Sequence, residues 1–223
     1  RRANNEPLAY LVNEKEFWSL PFAVSPDVLI PRPETEILIE EALALFYDKE
    51  KSLGQVLDLG TGSGIIAVIL ALELPGYHIF TTDLSLNALQ VARKNIIRHR
   101  VHERIFMMNG YWFSHILPDH QFDIIISNPP YVAGRVHGEL QPELDFEPEM
   151  ALYAGDDGMD AYRDLIPSCR QYLKTGGYVL FEIGADQAEA VEAVFAGTAG
   201  LELVEIVNDL SGLARVVVAK AVD

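Results

Sequence analysis

The sequence predicts an α/β fold: a doubly wound, mostly parallel seven-stranded sheet with helices on both faces and a β-hairpin ahead of it. Three observations carry this. From Gln55 onward, short apolar runs alternate with helical stretches, the pattern of parallel strands joined by crossover helices. A glycine-rich turn, GTGSG (60–64), separates the first strand from the first helix of that series. The last two strands, near 201–207 and 214–220, have no helical stretch between them, which predicts an antiparallel pair at the sheet edge.

The elements follow in order. EFWSLPFAVSP (16–26) alternates loosely and is broken by Pro21, which predicts a short hairpin. PRPETEILIEEALALFY (31–47) carries Pro and acids in its first turn and a mixed apolar stripe, so it predicts a helix. QVLDL (55–59) is a short apolar strand, and IIAVILALEL (65–74) is apolar on all sides, the mark of a buried helix. HIFTTDL (78–84) is the second strand. SLNALQVARKNIIRHR (85–100) is an amphipathic helix with Ser85 as its N-cap. RIFMM (104–108) and FDIIIS (122–127) are the third and fourth strands, and 132–158 is a long loop rich in Gly, Pro and acids, of the kind that is usually functional. MDAYRDLIPSCRQYL (159–173) is helical, KTGGYVLFEIG (174–184) is a turn and strand, and a helix follows at about 186–196. Residues 1–50 are therefore a linker, hairpin and leading helix, and 51–223 are the main α/β domain.

Composition limits the function. Seventeen Lys and Arg against 33 Asp and Glu leave a net charge of −16, which opposes non-specific binding to a phosphate backbone. A protein or small-molecule partner is expected, with no direct nucleic-acid contact. No apolar run approaches the ~20 residues of a membrane span, and RRANNEPLAY shows no signal-peptide core, so no membrane association and a cytoplasmic setting are expected. The single cysteine, Cys169, predicts a buried, neutral thiol. His99, His102, His115, His120 and His137 show no metal-ligand spacing, so no metal is expected. The chain begins mid-phrase without an initiator Met and is expected to be part of something longer.

Two features point to a nucleoside-containing cofactor. Gly60, Gly62 and Gly64, in DLGTGSG (58–64), allow close backbone approach to a ligand at a helix N-terminus. Asp83, at the end of the second strand, places a carboxylate where it can accept from both hydroxyls of a ribose. The spacing is G-x-G-x-G rather than the dinucleotide G-x-G-x-x-G, and no P-loop lysine is present. S-adenosylmethionine, with a ribose, an amino-acid end and no phosphate, fits better.

The third feature is SNPPYV (127–132). Two prolines force the chain out of the sheet after a buried strand, with Asn128 held extended at the strand end. In doubly wound sheets ligands bind beyond the carboxyl ends of the strands, at the switch in strand order, so Gly60, Asp83 and Asn128 are expected to converge. The Asn128 side-chain oxygen and the Pro129 carbonyl suit the two hydrogens of a planar NH2 group, with Tyr131 as a flat face.

These residues resemble a known family. NPPY is similar to the amino-methyltransferase motif shared by DNA adenine-N6 and protein glutamine-N5 methyltransferases. EFWSLPFAVSPDVLIPRPETE (16–36), VLDLGTGSG (56–64), FDIIISNPPY (122–131), EPEMALYAGDDGMDAYR (147–163) and GGYVLFEIG (176–184) resemble the HemK/PrmC family, the peptide chain release factor glutamine methyltransferases. The resemblance runs over nearly the whole chain. RPETE and the final DLSGLARVVVAK look more like the release-factor branch than the sister enzyme of ribosomal protein L3.

The resemblance implies the class I, Rossmann-like fold of S-adenosylmethionine-dependent methyltransferases. It implies S-adenosylmethionine as methyl donor and the glutamine of the release-factor GGQ motif as acceptor; a monomer is expected. Cofactor contacts are implied for Gly60, Thr61, Gly62, Ser63 and Gly64, for Asp83 and Trp112, and for Asn128. Catalytic and acceptor contacts are implied for Asn128, Pro129 and Tyr131, with Pro130 also in the acceptor site. The family's N-terminal helical domain is not among these 223 residues, and RRANNEPLAY resembles the linker that follows it. Tyr111 stands where family members often carry an acid, leaving Asn109 or backbone to meet the adenine amino group. Glu147, Glu149, Glu182 and Arg32 are expected to be structural, and the loop 132–158 to close over the acceptor. The rivals are the ribosomal protein L3 glutamine methyltransferase, a DNA or RNA adenine-N6 methyltransferase, and a non-catalytic cofactor-binding module.

Overall fold

The computed structural model describes residues 1–46, 53–136 and 141–223. Tyr47 at the end of the predicted leading helix, the 50/51 division and His137 lie outside the described residues. In chain order the elements are α1 (Leu8–Val12), β1 (Glu14–Phe17), β2 (Leu20–Ala23), α2 (Thr35–Ala44), β3 (Gly54–Leu59), α3 (Ile65–Glu73), β4 (Tyr77–Asp83) and α4 (Leu86–Arg98). Then come β5 (Ile105–Asn109), β6 (Phe122–Ser127), α5 (Glu149–Leu152), α6 (Asp160–Tyr172), β7 (Leu173–Glu182), α7 (Ala188–Ala196), β8 (Leu201–Asn208) and β9 (Ala214–Ala221).

The seven-stranded sheet has the order β5-β4-β3-β6-β7-β9-β8. The first five strands are parallel, while β9 runs antiparallel to both β7 and β8, as the missing helix between the last two strands predicts. The chain moves outward from β3 in one direction and then crosses back to β6 on its other side. The switch point therefore lies between β3 and β6, and ligands of such sheets sit beyond it. Those two central strands are buried on both faces, and their runs of Val, Leu and Ile leave no polar face.

Apolar cores fill both faces. One gathers α2, α3 and part of α4 with Phe17 and Phe22 of the hairpin, so the leading segment shares the sheet's own core. The other lies under α6 and α7 and includes Tyr162, Leu165, Cys169 and Phe195. Helix α3 is buried from Ile65 to Ala71, which explains a sequence apolar on every side. Ser85 caps α4 by accepting from the Ala88 amide at 3.1 Å.

Several boundaries differ from the sequence reading. Pro21 sits inside β2, opposite Glu16, instead of breaking the hairpin; a two-stranded ribbon leaves an outer edge where a missing N–H costs nothing. Its tight loop is Trp18-Ser19, both at positive φ. The leading helix begins at Thr35 rather than near Pro31. KTGG belongs to β7, which starts at Leu173 and absorbs the glycines in an irregular register against β6. RRANNEPLAY, expected as linker, runs into α1, which is too short to show a period; its Tyr10 is buried and donates to the Val28 carbonyl at 2.6 Å. The stretch 132–158 is not one featureless loop. It holds short helical turns at Gly134–Val136 and Pro142–Phe146, then α5, and a bridge pairs Val132 with Tyr153.

Asn95 ties the hairpin to the sheet. Fully buried on α4, it accepts from the Ala23 amide at 2.7 Å and donates to the Ala23 carbonyl at 3.0 Å and the Ser63 carbonyl at 2.7 Å. Truncation strands three backbone groups, one buried and two half-buried, so Asn95→Ala is expected to lower stability by about 2 kcal/mol. Denaturant unfolding measures it; a loss below about 1 kcal/mol would mean that these groups find other partners.

Candidate active site

The carboxyl ends of β3 and β4 shape the first wall. Gly60, Gly62 and Gly64 all sit at positive φ, and the Gly60 and Thr61 amides donate to the Thr82 carbonyl at 2.9 and 3.0 Å. A side chain at Gly64 would strike α4, with a Cβ 3.1 Å from that of Ala92. At Gly62 a Cβ would meet nothing within 4 Å, so this glycine leaves an open cradle on the cavity side. Asp83 locks the cradle: its two oxygens accept from the Gly62 and Ser85 amides, each at 2.8 Å. Each oxygen keeps a further lone pair toward the cavity that it lines.

Asp58 supports the turn from below. It is fully buried and accepts from the hydroxyls of Thr61 at 2.6 Å and Thr81 at 3.1 Å, while its Oδ1 has no partner. Loss of hydration pushes its carboxyl up to about 7. Since this value lies above the unfolded one, the native state holds more protons between about pH 4 and 7, and stability falls as pH rises through that window. The melting temperature is expected to drop from pH 5 to 7.5, and less steeply in Asp58→Asn; equal slopes would place the proton uptake elsewhere.

The end of β6 makes the second wall, and tertiary hydrogen bonds fasten it nearly residue by residue. Ser127 Oγ donates to the Leu59 carbonyl at 2.6 Å, joining the tips of β6 and β3. Asn128 Nδ2 donates to Thr35 Oγ1 at 3.0 Å, and Thr35 donates to the carboxylate of Glu182, at the end of β7, at 2.7 Å. Gln187 donates to the Tyr131 carbonyl at 2.9 Å, and Val132 exchanges backbone bonds with Leu152 and Ala154. Burial pushes Tyr131 above the usual phenol range, so it stays a neutral donor toward Glu182 at 3.5 Å.

Between these walls lies a cavity of about 350 Å³, within the range of small-molecule sites. Gly60, Thr61, Gly62, Ser63, Asp83, Trp112, Asn128 and Pro130 all line it, so the expected convergence occurs. Gly64 stands just behind, against α4; Pro129 is buried and Tyr131 turns its hydroxyl to Glu182, and none of these three faces the cavity. Trp112, at φ 43°, packs beside Gly60, and its buried Nε1 has no partner.

Sequence reasoning missed Asp164 and Thr35, which both line the cavity. Asn109 donates to the carbonyls of Asp83 and Leu84 and is committed there. The acid near Tyr111 comes from α6: Asp164 accepts from the Tyr111 hydroxyl at 2.5 Å and lines the cavity. Thr35 and Arg32 also line it. Arg32 pairs with the buried Glu147 at 2.6 Å, and Glu147 accepts from the Ile30 amide at 3.0 Å. That bridge pins the segment before α2 to the turn before α5. Among the described residues no group of three or more His, Cys, Asp or Glu is placed to hold a metal ion, and no helix is long and apolar enough to cross a membrane.

Known proteins resemble this chain. The Methyltransferase small domain family matches residues 35–144. A release factor glutamine methyltransferase from Neisseria gonorrhoeae is 43% identical over 221 residues, covering 99% of this chain and 78% of that protein. One from Salmonella typhimurium is 42% identical over 216 residues, covering 97% and 76%. The crystal structure of a release-factor-specific protein-(glutamine-N5) methyltransferase from Alicyclobacillus acidocaldarius is 32% identical, with a TM-score of 0.52, covering 91% of this chain and all of that one.

Proposed function

The chain belongs to the release factor glutamine methyltransferases, and from that premise we propose that it moves the methyl group of S-adenosylmethionine to the side-chain amide nitrogen of the GGQ glutamine in a peptide chain release factor. The observation that carries this reading is the polarity of Asn128. Its NH2 is spent on Thr35, so its oxygen is left for the cavity, where it accepts a hydrogen from a planar NH2.

The cavity suits the methyl donor. The bare cradle at Gly62 admits a close backbone contact, and the free lone pairs of Asp83 match the two ribose hydroxyls. Trp112 and Tyr111 supply aromatic walls for the adenine, with Asp164 as the acid beside them. When bound, S-adenosylmethionine supplies an electrophilic sulfonium methyl.

The protein's share is positioning and electrostatics, because an amide nitrogen has a delocalised lone pair and is a poor nucleophile. Asn128 Oδ1 takes one amide hydrogen and so helps to aim the nitrogen lone pair across the cavity. It is fixed before the acceptor arrives, since the strand end is tied to β3, to α2 and to Gln187.

The test supplies methyl-labelled donor with a release factor, with the same factor carrying alanine in place of the GGQ glutamine, and with DNA. Label is expected on the unaltered factor alone. Label on DNA, or on the alanine variant to the same extent, overturns the reading. The charge of −16 supports a protein acceptor over a nucleic acid.

A further inference from the structure

Three side chains from distant parts of the sequence form a line ending at the acceptor wall: Glu182 on β7, Thr35 at the start of α2 and Asn128 beyond β6. Glu182 is buried and Thr35 equally so. Thr35 Oγ1 lies 2.7 Å from Glu182 Oε2 and 3.0 Å from Asn128 Nδ2. We propose that Thr35, with its proton held by Glu182, is a positioning residue that sets which way the Asn128 amide faces. This rests on the reading of Asn128 as acceptor for the substrate NH2.

A hydroxyl has one proton and two lone pairs. A carboxylate only accepts, so the Thr35 proton goes to Glu182 and the hydroxyl meets Asn128 with a lone pair. Asn128 must then present its NH2 to Thr35 and its oxygen to the cavity. Without that constraint the hydroxyl donates equally well to Asn128 Oδ1. The amide then turns over and sets an NH2 against the substrate's NH2, donor against donor.

Two phenol hydroxyls also approach Glu182. The Tyr131 hydroxyl approaches its other oxygen at 3.5 Å, and the Tyr162 hydroxyl donates to its backbone carbonyl at 2.9 Å. Burial pushes the Glu182 carboxyl up to about 7, with Glu34 adding to the rise and the Thr35 hydrogen bond and Arg215 on β9 opposing it, so the relay is set in the ionised form that prevails above that pH. Arg215 is itself paired with Asp209 at 2.9 Å and is not a direct partner of Glu182.

Thr35→Val keeps the shape and removes the hydroxyl, and Thr35→Ser keeps the hydroxyl. The valine variant is expected to lower kcat about tenfold or more with KM for the methyl donor unchanged, and the serine variant to recover most of that loss. Glu182→Gln, which can offer an N–H to Thr35, is expected to lower kcat in the same way. A valine variant within twofold of wild type overturns the proposal, as does a serine variant as slow as the valine one. Equal losses in kcat and donor affinity overturn it too, since a merely structural role predicts them. Orientation is also read without any acceptor, from the Asn128 side-chain NH2 signals of the 15N-labelled chain. They are expected to be protected from exchange in wild type and unprotected in Thr35→Val. Unchanged protection refutes the relay whether or not glutamine is the acceptor, whereas absence of label on the release factor with intact protection changes refutes only the acceptor reading.

Discussion

Asn128→Ala is expected to lower methyl transfer to the release-factor glutamine by about 10²- to 10³-fold, with methyl-donor affinity within a few-fold of wild type. The size follows from what is removed. Asn128 Oδ1 is a prefixed acceptor in a partly enclosed cavity, where an oriented dipole acts with little screening. Its loss strips the amide of an interaction that strengthens as nitrogen pyramidalises, so the penalty falls on kcat. The donor is held by the other wall, at the ends of β3 and β4, and keeps its contacts. Initial rates with labelled donor, beside calorimetric donor binding, separate the two. Transfer within a few-fold of wild type would show that Asn128 does not hold the acceptor.

Asp83→Ala acts at that other wall. One carboxylate closes the cradle by accepting from the Gly62 and Ser85 amides at 2.8 Å and is proposed to receive the ribose as well. Hydrogen bonds to a charged group contribute about 1.5–3 kcal/mol each, so losing the ribose pair is expected to weaken donor binding by about 10²-fold or more. Burial already raises the Asp83 carboxyl above its usual range, opposed by its two amide donors. Asp83→Asn therefore retains part of the backbone lock but loses the charge, and its affinity should fall between wild type and alanine. Calorimetric titration with S-adenosylmethionine or its demethylated product tests this. Undiminished affinity in Asp83→Ala would place the ribose elsewhere.

Legibility in the sequence followed the range of the physics. FDIIIS reads as a strand at 122–127 and is one, because its apolar run and two following prolines are local signals. The glycine turn is likewise local: three glycines between a strand and a buried helix have few other uses. Pro21 was misjudged because proline's constraint depends on whether a neighbouring strand needs its N–H, which only the pairing tells. With no acid at Tyr111, Asn109 or backbone was expected to replace it, yet the structure sets an acid beside Tyr111 from 53 positions away, Asp164.

By itself, then, the sequence determined the sheet's class, the glycine cradle, the carboxylate at Asp83 and the amide at Asn128. Each depends on backbone periodicity or on a residue's own chemistry. The tertiary structure alone decided how those groups are aimed. Thr35 reaches Asn128 across 93 positions, and Asn95 reaches the hairpin across 72. Hydrogen bonds fix a side chain only when partners meet within about 3 Å, and no spacing along a chain reveals which distant residues folding brings that close. The NH2 of Asn128 faces Thr35 because the starts and ends of α2, β6 and β7 converge at one corner of the sheet.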